Sequence, residues 1–60
     1  MATDHYGSEL RIGDVVQKVG WSDQFTVTDI NSTFGTEVIS LQGQTYNEDR
    51  VNASNVIKIG

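Results

Sequence analysis

Five runs rich in β-branched or alternating apolar residues follow one another along the chain. The first, "DVVQKV" at 14–19, is short and β-branched. The second, "QFTVTDI" at 24–30, alternates: Phe25, Val27 and Asp29 point one way, Thr26, Thr28 and Ile30 the other. That period of two turns one face of a strand toward a core. "TEVISL" at 36–41 is the third run. "QTYNEDRV" at 44–51 is a weaker fourth, with Thr45 and Tyr46 as its best strand formers. "NVIKI" at 55–59 closes the series. No window repeats apolar residues at i, i+3, i+4 and i+7 for three helical turns. Between the last two runs, "VNASN" suits a single helical or 3-10 turn, with Asn52 placed to cap it.

The connections set the topology. "GWSD" at 20–23 and "QGQ" at 42–44 read as hairpin loops in which Gly20 and Gly43 supply positive φ. Ser22-Asp23 completes the first turn in this reading. "NSTFGT" at 31–36 reads as a longer polar loop with one aromatic, Phe34. Parallel neighbours need crossovers of roughly a dozen residues, so an antiparallel meander is the simplest arrangement. Residues 1–8 are polar and aperiodic and are expected to form a flexible tail before a domain at 9–60. A strongly bent, five-stranded antiparallel sheet with a short 3-10 turn before its last strand is an SH3-like barrel, and that all-β fold is expected here. The expected core is Ile12, Val16, Phe25, Val27, Ile30, Val38, Ile39, Leu41, Val51, Ile57 and Ile59. In so small a barrel both faces of a strand are partly covered, so Val38 and Ile39 both stay on that roster.

Size makes this core matter. A domain of 60 residues buries only about 60% of the surface its unfolded chain exposes. Disulfides and zinc are the usual supplements, but the chain has no cysteine and a single histidine, His5. Stability is left to core packing, helped at most by weak self-association. The absence of cysteine suits a reducing cytoplasm. The opening "MATDHYGSEL" has neither the basic nor the apolar region of a signal peptide. No apolar run approaches the ~20 residues of a membrane span. A cytoplasmic protein without membrane contact is expected. "NST" at Asn31 and "NAS" at Asn52 spell the glycosylation pattern, and without an export signal both are read as chance.

Two stretches resemble known families. "NASNVIKI" at 52–59 resembles the "PSNYV" segment of SH3 domains, in which a 3-10 turn feeds the last strand; Ser54, Asn55 and Ile57 fall on the pattern. Ala53 and Val56 stand where SH3 domains carry the proline and tyrosine of their peptide groove. The aromatic "ALYDY" segment is missing too. The resemblance implies the fold and counts against proline-rich peptide binding. "IGDVVQKVGWSDQFTVTDI" at 12–30 is similar to the opening of a family of small bacterial proteins with a pattern near G-D-x-V-x-L-K-S-G-G-P-x-M-T-V-x-x-I. Gly13, Asp14, Val16, Lys18, Thr26, Val27 and Ile30 match it. "VGWSDQ" replaces the Ser-Gly-Gly-Pro turn, Phe25 replaces methionine, and Ser40 and Gln42 lie near an expected Cys-x-Trp. That family has no established chemistry to carry over.

Charge and side-chain chemistry narrow the function. Eight acidic and four basic residues leave a net charge of −4. Arg11, Lys18, Arg50 and Lys58 are scattered singly, whereas nucleic-acid binders cluster cations against phosphates. Glu48 and Asp49 are adjacent on a strand and face opposite sides, so they make no metal pair; no EF-hand pattern occurs. His5 lies in the expected tail with no nucleophile to serve. No phosphate-cradling glycine motif is present. A barrel this small is filled by its own side chains. The chain is therefore expected to be non-enzymatic, without metal or cofactor.

Aromatic residues remain. Trp21, Phe34 and Tyr46 are the expected contact residues, with Asp23 and Asp29 as polar neighbours and Glu48-Asp49 extending an acidic rim that suits a basic protein partner. Trp21 either projects from the first loop or folds back to cap an open end of the barrel over Phe25 or Ile12. A sheet edge offers a further means of pairing with another chain. The reading is a small interaction module with a protein partner. Its alternative is a nucleic-acid-associated module stacking bases on aromatics, disfavoured by charge. A subunit of an oligomeric enzyme ranks third.

Overall fold

The computed structural model describes residues 2–33 and 36–60. Five strands form: β1 (Val15–Lys18), β2 (Gln24–Thr33), β3 (Thr36–Gln42), β4 (Asn47–Asn52) and β5 (Val56–Lys58). A 3-10 turn at Ala53–Asn55 feeds β5, as expected. All ladders are antiparallel, in the order β4-β3-β2-β1-β5. The fold is all-β, and β5 returns beside β1. No ladder joins β4 to β5 among the described residues, so the sheet is open rather than closed. No helix among them is long and apolar enough to cross a membrane.

One ion pair reveals how far the sheet curls. Lys18 lies two residues from the fully buried Val16, hence on the inner face of β1. Glu48 stands opposite the buried Leu41, hence on the inner face of β4. In a flat sheet β1 and β4 would lie about 14 Å apart, three strand spacings. Lys18 Nζ nevertheless sits 2.6 Å from Glu48 Oε2. The sheet must bend until the inner faces of β1 and β4 confront each other across the core.

That core joins Val16 to its cross-strand partner Phe25, Val27 to Leu41, and adds Ile39, Ala53 and Val56. Ile30 and Val51 pack at its margin. Within β3, Ile39 is buried and Val38 only half-buried. Four expected core residues lie outside it: the half-buried Val38 and Ile57, and the exposed Ile12 and Ile59. Ile12 is 65% exposed, on a turn closed by the Asp14 amide donating to the Arg11 carbonyl. Ile59 is 45% exposed, because the inner phase of β5 falls on Val56 and turns Ile57 and Ile59 the other way. The alternation of β2 also breaks. Its pairing with β3 slips between Val27 and Asp29, so Thr28 is an extra, bulged residue. Beyond the bulge Ile30, not Asp29, faces inward.

The loop expected at "NSTFGT" is largely ladder: Asn31, Ser32 and Thr33 pair with Val38, Glu37 and Thr36. Asn52 occupies the cap position of the 3-10 turn but makes no side-chain capping bond. A second register slip lies between β3 and β4, where Arg50 adopts φ +59°.

The expected tail is built into the domain. Residues 2–10 form a hook in which Thr3 bridges Glu9, the Asp4 amide donates to the Ser8 carbonyl and the Leu10 amide to the Ala2 carbonyl. Ala2 and Leu10 join the core. The buried Asp4 carboxylate accepts the amides of Tyr6 and Ser8 on Oδ1 and that of Lys58 on Oδ2, all within 2.9 Å. A polar, aperiodic segment was misleading because a carboxylate satisfying backbone amides, not an apolar stripe, fixes it.

Candidate functional site at the Trp21 end of the sheet

The end of β1, the start of β2, the end of β3 and the start of β4 meet at one end of an antiparallel sheet. Two turns crown it. In the first, the Trp21 amide donates to the Lys18 carbonyl over 3.0 Å, and Gly20 takes φ +83°. A turn with positive φ at its third residue favours glycine there. The turn is thus Lys18 to Trp21, with Val19-Gly20 at its corner, three residues earlier than a Ser22-Asp23 corner. The Gln17 side chain clamps it by donating Nε2–H to the Trp21 carbonyl at 2.6 Å.

The Trp21 ring points outward, 56% exposed. It does not cap the core. The Lys18 ammonium lies 5.1 Å from its ring centroid, within the range of a cation–π contact. Lys18 is also held by Glu48. A Glu48–Lys18–Trp21 chain therefore runs from the inner mouth of the sheet to the exposed indole.

The second turn joins β3 to β4. The Gly43 amide donates to the Tyr46 carbonyl at 2.9 Å. Gly43 is not in the positive-φ region; it is needed for closeness. A Cβ there would lie 2.7 Å from Phe25 Cε2 and 2.7 Å from the Tyr46 carbonyl oxygen. Tyr46 meets Phe25 edge-on, ring centroids 5.6 Å apart at 75°, while remaining 43% exposed. Asp23, Gln24, Gln44, Thr45 and Tyr46 line a polar cleft between the two turns, with Phe25 as its floor.

The structure brings together three expected site residues, Trp21, Asp23 and Tyr46, at this end. Asp29 belongs elsewhere, in a depression with Asn31, Ser40, Asp49 and Arg50. Phe34 lies outside the described residues. The acidic rim is thinner than expected at the Trp21 end: Glu48 is neutralised by Lys18, and Asp49 lies beside Asp29. Lys18, Glu48 and Gln17 are the positioning residues the sequence reading missed. Lys18 had a signal, since it shares the phase of Val16, but its partner lies 30 residues away.

Among the described residues no three of His, Cys, Asp and Glu gather as a metal would need. Arg11, Lys18 and Lys58 each sit within 4 Å of a carboxylate, on Glu9, Glu48 and Asp14. No family model, curated protein or solved structure matches the chain.

Proposed function

We propose that this chain is a small, non-catalytic, cytoplasmic interaction module that binds a basic segment of a protein partner at the Trp21 end. The observation that carries the reading is the exposed indole of Trp21, held outward by a hydrogen-bonded turn and by Lys18. Burying a ring this size is costly to forgo in so small a domain, so its exposure asks for a use. Tryptophan and tyrosine dominate the energetics of protein interfaces, and Tyr46 stands at the same end. Asp23, which has no ion-pair partner among the described residues, supplies negative charge beside them. With Arg11, Lys18 and Lys58 each paired to a carboxylate, no basic patch that would draw a nucleic acid forms among the described residues.

Affinity capture from nuclease-treated lysate of the source cell, with wild type and Trp21→Ala, tests this. The expected result is a protein partner that survives nuclease and falls about 30-fold or more in affinity with Trp21→Ala, the loss of a hot-spot residue. The variant should unfold within about 0.5 kcal/mol of wild type, as an exposed substitution does. Equal recovery by both proteins, with a less stable variant, would make Trp21 structural. Material that disappears on nuclease treatment would favour the nucleic-acid reading.

A further inference from the structure

The hook at residues 2–10 does more than add two residues to the core. It occupies the outer edge of β5. That strand uses its inner edge on β1. On its outer edge, the Val56 carbonyl accepts the His5 amide at 2.8 Å, and the Lys58 amide donates to Asp4 Oδ2 at 2.8 Å. In its Nδ1-protonated form His5 also donates to the Ser54 carbonyl, 3.2 Å away. An uncovered edge is a template for another strand. The other edge, β4, is already blunted by its register slip and the positive φ of Arg50.

The two covered groups are self-complementary. They are one acceptor and one donor, two residues apart. A second β5, antiparallel about a two-fold axis through Ile57, presents the same pair in reverse. The Lys58 amide of each copy then meets the Val56 carbonyl of the other, an isologous contact. Lifting the hook also uncovers core surface that Ala2 and Leu10 now seal, which gives the second copy apolar area to bury.

We propose that residues 2–10 guard the β5 edge, with Asp4 as the latch, and that releasing the latch lets a second copy of this chain pair there. The latch is separable from the hook's own turn. Asp4 Oδ1 serves the Tyr6 and Ser8 amides inside the hook, whereas Oδ2 alone reaches Lys58. Asp4→Asn keeps an oxygen for the first pair and sets an amide donor against the Lys58 donor.

Sedimentation equilibrium and amide exchange on the full chain at neutral pH test the proposal. Wild type should sediment at its monomer mass of 6.6 kDa. Asp4→Asn should sediment at twice that mass. In the variant the His5 amide should exchange at least about tenfold faster, while the Lys58 amide stays protected because Val56 of the other copy has replaced Asp4. A folded Asp4→Asn monomer overturns the proposal. So does a dimer whose Lys58 amide exchanges freely, because its contact then lies elsewhere. An unfolded variant, read by circular dichroism, overturns it as well, since the hook would be part of the fold rather than a guard upon it.

Discussion

Gly43 is the residue at which the two halves of the candidate site press hardest on each other. Its missing Cβ leaves room for the Phe25 ring and for the Tyr46 carbonyl at once. Phe25 is core and Tyr46 is surface, and their edge-on contact carries the position of one to the other. Gly43→Ala should therefore cost about 1–3 kcal/mol, the usual range for overpacking. The Phe25 ring has to shift and the Gly43–Tyr46 hydrogen bond has to lengthen. Urea unfolding measures the cost, and the near-ultraviolet signal of Tyr46 should change with it. A stability loss under about 0.5 kcal/mol, the scale of an ordinary surface change, would mean the turn relaxes freely and Tyr46 is not set by Phe25. Glycine at this position was legible as a turn marker. Its reason was not: the sequence suggested positive φ, while the structure places the constraint in a neighbour 18 positions earlier.

Elements were legible in proportion to how much apolar periodicity they carry. Adjacent apolar residues at Val38 and Ile39 left the phase of β3 open, whereas the phase of β2 from Phe25 to Val27 was readable because alternate residues are large and apolar. The phase of β2 beyond Thr28 was not, since a bulge adds a residue without any mark in composition. The hook was hidden for a different reason: it is fixed by hydrogen bonds to one carboxylate, and hydrophobic patterning is blind to those. Its dependence on Asp4 has a pH signature. Burial of the carboxylate raises its pKa, but the amides of Lys58, Ser8 and Tyr6, with a smaller contribution from His5, outweigh burial and hold it below the ordinary aspartate value. A carboxylate whose pKa is depressed by folding stabilises the fold above its unfolded pKa, near 3.9, and loses that contribution as pH falls through the folded value. Wild type and Asp4→Asn, compared in urea at dilutions that keep both monomeric, should differ by about 2 kcal/mol at pH 6, a typical value for hydrogen bonds to a charged group. The gap should close as pH drops below about 4. A gap independent of pH would show that packing of Ala2 and Leu10, not the charge on Asp4, fixes the hook.

At the scale of the whole molecule, an open five-stranded sheet encloses its core only while its ends stay curled together. Lys18 and Glu48 are the one described ion pair that spans from β1 to β4 across the core, and both side chains are mostly shielded from water. The Glu9–Arg11 pair, two residues apart and largely exposed, has no such span. This contrast gives a paired test. Glu48→Gln should cost about 1–2 kcal/mol, because it leaves a sheltered ammonium with only a neutral partner. Glu9→Gln should change stability by less than about 0.5 kcal/mol. Salt should separate the two pairs further, since roughly 1 M salt screens exposed charges over about 3 Å but reaches a sheltered contact poorly. The closure also governs the candidate site, because Lys18 is shared between Glu48 and the indole. Glu48→Gln should therefore shift the Trp21 emission while the far-ultraviolet spectrum stays unchanged. Equal stability losses for the two variants, with no change in emission, would mean that the curl is held by the apolar core alone and that Trp21 is presented by its turn without help from the pair.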